Sequence, residues 1–141
     1  MSKKEDRLGS LLGQFTSASA VPEGDAYFHN KLKEGIHGIA FSPYEEGQKP
    51  GDHISEVQIR RRMSIIQPYV KWIRSFSCTE GNELIPQIAH EMGVKTMVGA
   101  WIGDDKEKND LEIDALIRSA KAGHVDIAAV GNEVMYREEL E

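Results

Sequence analysis

The feature that most constrains this chain is an alternation. From residue 36 onward, short apolar segments with strand character take turns with amphipathic helical stretches. Residues 36–44 (IHGIAFSPY) read as a strand closing on a Ser-Pro turn, and 45–52 (EEGQKPGD) as a loop by their Gly, Pro and acidic content. Over 53–69, Ile59, Met63, Ile66 and Val70 recur at helical spacing, with Asp52 as the expected N-cap and Pro68 near the end. A second strand is expected at 72–78 (WIRSFSC) and a second helix at 82–92. In that helix Ile85, Ile88, Ala89 and Met92 make the apolar stripe, Asn82 is the expected cap, Pro86 falls in the tolerated first turn and Gly93 is the stop. A third strand follows at 95–102, and a third helix at about 108–122 with Ile113, Leu116, Ile117 and Ala120 inward. The fourth strand is 125–131, and 132–141 run from a loop into the start of another helix.

Strands alternating with amphipathic helices imply right-handed crossovers and a parallel sheet. In parallel α/β folds, chemistry gathers at the carboxyl ends of the strands. The segments that matter are therefore Ser42–Tyr44, Phe76–Thr79, Trp101–Asp105 and Asn132–Arg137. Residues 1–35 are expected to form a flexible N-terminal tail. Their weak apolar content around Leu11-Leu12, with Glu5 and Asp6 where positive charge belongs, makes a poor secretory signal.

Composition closes off several functions. A net charge of −6, from 17 Lys+Arg against 23 Asp+Glu, leaves no basic stripe to neutralise phosphates, so no nucleic-acid partner is expected. No apolar run approaches the ~18 residues of a membrane span. No GxGxxG opens a helix after a strand and no Gly-rich loop ends in Gly-Lys-Ser/Thr, so no nucleotide cofactor is expected. The five histidines carry no metal signature, since His90-Glu91 lacks a second His at helical spacing and His29, His37, His53 and His124 fall in other elements. The lone Cys78 excludes an internal disulfide and reads as a small buried hydrophobe.

Gly131-Asn132-Glu133 is the most informative stretch. A carboxylic acid at the carboxyl end of a barrel strand suits protonation of a departing oxygen, and an amide neighbour suits holding a sugar hydroxyl. The same spacing also fits a helix start, with Asn132 as N-cap and Glu133 in the first turn. Tyr44, Trp101 and Tyr136 offer flat faces for sugar rings, or ordinary packing. Arg74 sits inside the second strand, where a charge is costly unless paired, so a carboxylate or polar ligand is expected beside it.

Taken together, GIAFSPYEEGQKPG (38–51), IRSFSC (73–78), VGAWIG (98–103), Asn109 with Glu112-Ile113, and VGNEVMYREEL (130–140) resemble glycoside hydrolase family 17, the β-1,3-glucanase-like family, particularly its bacterial members. The resemblance implies a (β/α)₈ barrel that cleaves or transfers β-glucan with retention. It implies Glu133 as general acid/base and Asn132 as its substrate-positioning neighbour, with Tyr44, Arg74, Trp101 and Tyr136 lining the cleft. It also implies an extracellular or cell-envelope setting. Retention requires a second carboxylate about 5–5.5 Å away, which in that family comes from the seventh strand.

Residues 36–141, at about 31 residues per β/α unit, make about three and a half units. The expected architecture is thus the first four strands of the barrel, a half-barrel carrying the acid/base without the nucleophile and inactive alone. The alternative is a non-catalytic β-glucan-binding or assembly half-barrel. Open sheet edges, and an inner face around Ile39, Phe41, Phe76, Met97 and Ala129, would then favour self-association or a complementary C-terminal half.

Overall fold

Four parallel strands form one sheet in the order β1 (Ile36–Ala40), β2 (Val70–Arg74), β3 (Lys95–Ala100) and β4 (Ile127–Val130). The computed structural model describes residues 21–137. In register, Gly38 faces Trp72, Arg74 faces Met97 and Ala100 faces Val130. This is the α/β half-barrel expected from the alternation. The chain divides into two units, one ending at Glu34 and the other beginning at Gly35.

The first unit contains helix α1 (Val21–Glu34), where the sequence reading places only a tail. The helix is locally consistent. Pro22 falls in the first turn, Lys31 and Lys33 occupy the last turn, and Lys31 bonds Glu34 at 2.6 Å. The weak signal-like segment, residues 1–20, lies outside the described residues.

In the second unit the helices are α2 (Glu56–Ile66), α3 (Ile85–Glu91), α4 (Lys106–Lys121) and the short α5 (Val134–Arg137). Two caps differ from expectation. α2 starts on Ser55, whose hydroxyl accepts from the Gln58 amide, because Ile54 is drawn into the core ahead of it. Asn82 opens a 3-10 turn (Asn82–Leu84) before α3 and does not cap that helix. α4 starts on Asp105, which accepts from the Lys108 amide at 3.0 Å.

α2, α3 and α4 cover one face of the sheet. Ile59 and Met63 of α2 and Ile85, Ile88 and Ala89 of α3 pack with Phe41, Val70, Ile73 and Val94. Ala115 and Leu116 of α4 pack with Val98, Ala100 and Cys78. Ile39 and Phe41 belong to this helix-covered side and not to the inner face: side chains alternate along a strand, and register sets Ile39 beside Ile73. The opposite face carries Trp72, Arg74, Lys95, Met97 and Ile127. The Lys95 ammonium lies 5.3 Å from the Trp72 ring there, and Ile127 is 42% exposed. No layer covers that face among the described residues of this unit.

Candidate functional site

The site is built at the carboxyl ends of the strands. A cavity of about 630 Å³ opens there, lined by Phe41, Tyr44, Gln48, Phe76, Asn82 and Trp101 among others. Gly99 makes the crowding possible. A Cβ there would sit 2.6 Å from the Ser75 carbonyl and 3.0 Å from Phe76 Cα, so only glycine lets the segment after β2 lie this close to β3. Gly81, at φ +93°, lets the following turn run against the Ile54 backbone in the same way.

The cavity floor holds a residue that an apolar pattern does not reveal. Glu112 of α4 is fully buried and accepts four hydrogen bonds. They come from Ser77 Oγ at 2.5 Å, Thr79 Oγ1 at 2.6 Å, the Cys78 amide at 2.6 Å and the Trp101 amide at 3.1 Å. One carboxylate thus ties the loops after β2 and β3 to the helix behind them. Burying a charge is tolerable only because its lone pairs are satisfied this fully. The helix is accordingly turned so that Glu112, Ala115 and Leu116 face inward, while Ile117 is 44% exposed.

At the rim, Glu80 stands at φ +58° and its carboxylate meets Lys108 Nζ at 2.9 Å. That hydrogen bond holds the Lys108 ammonium above its usual range. The Tyr44 hydroxyl accepts from Asn82 Nδ2 at 3.3 Å. Burial, aided by the Glu112 carboxylate, pushes the Cys78 thiol up to about 12. At neutral pH it is therefore a thiol and not a nucleophile, in keeping with its reading as a buried hydrophobe.

The structure brings most of the sequence-predicted residues into one neighbourhood, though not into one cavity. Tyr44 and Trp101 line the cavity. Arg74 donates to Asn132 Oδ1 at 2.8 Å and lies over the Phe76 ring at 4.8 Å. It is exposed on the uncovered face, not buried in the strand, and an amide with an aromatic ring meets it where a carboxylate was an option. Glu133 is exposed at φ +55°, a left-handed backbone that costs a non-glycine residue about 1–2 kcal/mol. Its carbonyl accepts from the Tyr136 and Arg137 amides, which starts α5. The Tyr136 side chain is 86% exposed and outside the cavity lining.

Arg137 also emerges here. Its guanidinium reaches the Asn132 carbonyl at 2.7 Å and the Ile102 carbonyl at 2.7 Å and covers Trp101 at 4.2 Å. In the sequence it stands at the end of the Asn132–Arg137 segment and within VGNEVMYREEL, without a role of its own. Among the described residues no group of three or more His, Cys, Asp or Glu could hold a metal ion. His90 and His124 do meet, their rings 6.0 Å apart and His90 bonded to Asp126 at 2.9 Å, at the opposite end of the sheet.

A four-stranded parallel sheet helix-covered on one face, with aromatic, amide and carboxylate groups gathered at its strand ends, has the architecture of half a (β/α) barrel seen at its carboxyl-end face. Residues 38–141 match the BtgE/BtgC glycoside hydrolase domain, and the chain belongs to that family. Its fold is shared with two structures of a glycoside hydrolase family 17 β-1,3-glucanosyltransferase from Rhizomucor miehei. One is the crystal structure of that enzyme and the other an active-site mutant in complex with laminaritriose. Each aligns at a TM-score of 0.60 and 23% identity over 77% of this chain, which spans 41% of the length of that enzyme. No curated protein matches the chain.

Proposed function

We propose that these residues supply the acid/base side of a retaining β-1,3-glucan-processing site, hydrolase or transglycosylase. Glu133 is the general acid/base, and Asn132, Arg74, Trp101, Tyr44 and Tyr136 contact the sugar. The observation that carries this reading is the Arg74–Asn132 hydrogen bond at 2.8 Å. It orients the amide beside a carboxylate left exposed at the strand end, where a glycosidic oxygen would arrive.

In the reaction, the Glu133 carboxylic acid gives its proton to the leaving oxygen as a second carboxylate attacks the anomeric carbon. The resulting glycosyl-enzyme ester is then opened by water or a sugar hydroxyl, whose proton returns to Glu133. Several other acidic groups of the strand-end loops are already engaged: Glu45 with Arg61, Glu80 with Lys108, and Asp105 in capping α4. The attacking carboxylate is therefore expected from a segment that completes the barrel, and these residues alone are expected to bind glucan without cleaving it. The uncovered sheet face supports such a complement, or a second copy, as a partner. A stable monomer at high concentration in sedimentation would argue against association of copies.

The test is Glu133→Gln in the protein completed with a segment that brings the second carboxylate. Laminaritriose cleavage should fall by at least about 100-fold while binding is retained. Retained turnover removes Glu133 from the role, and cleavage by the 141-residue chain alone removes the need for an outside nucleophile.

A further inference from the structure

Glu133 holds a backbone conformation that a glutamate does not favour, in the turn between an exposed strand and a four-residue helix. Something must hold that turn. The Asn132 side chain is held by Arg74. The backbone is held from the other direction by Arg137. Its Nη2 donates to the Asn132 carbonyl and to the Ile102 carbonyl at 2.7 Å each, and its Nε reaches the Asn132 carbonyl at 3.1 Å. Its planar face covers the Trp101 ring at 4.2 Å, and Glu112 in turn anchors the Trp101 amide.

We infer that Arg137 is a positioning residue for the acid/base. It ties the turn bearing Glu133 to the segment after β3 bearing Trp101, so that the proton donor and the aromatic platform keep one relative placement. This rests on the acid/base reading of Glu133. A guanidinium is suited to the task because its fixed planar fork donates to two carbonyls while its face stacks on an indole. An ammonium keeps the charge but presents no such fork. Misplacing a reacting group by about 1 Å costs up to about 100-fold in rate without removing any catalytic atom.

The test uses laminaritriose kinetics on the barrel-completed protein, together with Trp101 emission from the 141-residue chain in a Trp72→Phe background, which leaves one indole. In Arg137→Lys, kcat should fall about tenfold or more while KM stays within about twofold, and Trp101 emission should shift. In Arg137→Ala, millimolar guanidinium, far below denaturing levels, should return part of the lost kcat. A kcat for Arg137→Lys within twofold of the unaltered protein, or a loss falling wholly on KM, overturns the inference. Arg137→Lys keeps the aliphatic stem and the charge, so it decides the matter even where Arg137→Ala does not fold. Failure of the underlying reading looks different: Glu133→Gln would retain turnover, whereas Trp101 emission would still respond to Arg137.

Discussion

Arg74, the last residue of β2, donates a 2.8 Å hydrogen bond to Asn132, beyond the end of β4, across the intervening β3. In a barrel, inward-pointing residues from alternate strands share a layer, and this contact is that geometry made by two polar groups. It joins a residue from the middle of the chain to the turn that carries Glu133.

A double-mutant cycle with Arg74→Ala and Asn132→Ala should therefore give a coupling of about 0.5–1.5 kcal/mol in laminaritriose binding. Arg74 is solvent-exposed, so the effect on folding stability should be smaller. Strictly additive binding losses would mean that the two side chains act independently.

Glu112→Gln is nearly isosteric, yet it replaces an acceptor of four bonds with an amide that turns donor hydrogens toward hydroxyl and N–H groups. The expected cost is about 3 kcal/mol, read from the urea midpoint at neutral pH. Emission from Trp101 should change as well, since its amide loses an anchor. A midpoint unchanged from the original would show that the carboxylate is not the organiser of these loops.

Cys78 couples stability to alkaline pH. Its ordinary value of 9.0 is pushed up to about 12 in the folded protein, first by burial and then by the Glu112 and Glu83 carboxylates. Between those values the unfolded chain loses the thiol proton and the folded one keeps it, so the unfolded state binds fewer protons. The Cys78 contribution is complete below pH 9 and is lost as pH rises toward 12. Cys78→Ala should flatten that decline in urea titrations, and iodoacetamide should label native Cys78 only at the rate at which the protein opens. Rapid labelling of the folded protein at pH 8 would contradict the burial that underlies this.

Much of the fold is legible because local physics and tertiary structure agree. Met63 and Ile59, or Ile85 and Ile88, recur at helical spacing and are buried, and Gly93 and Gly123 stand at φ +75° and +82° just past the C-cap residues Met92 and Ala122 of α3 and α4. The errors have a common origin. The α4 stripe through Ile113 and Ile117 ranks residues by apolarity, whereas the helix turns Glu112 inward because hydroxyl and amide donors await it from loops 11 to 35 positions away. Likewise, the inner-face assignment of Ile39 and Phe41 failed by one step of strand alternation, which pairing with β2 settles.

By itself, then, the sequence determined the β/α order, the placement of the turns and the conspicuous Asn132-Glu133 pair, because periodicity and glycine chemistry act over a few residues. Only the tertiary structure decided that Arg74 meets Asn132, that Arg137 clasps the same turn onto Trp101, and that Glu112 lies under the cavity. Those partners are 58, 36 and up to 35 positions apart, and only the stacking of parallel strands brings them within hydrogen-bonding or stacking distance.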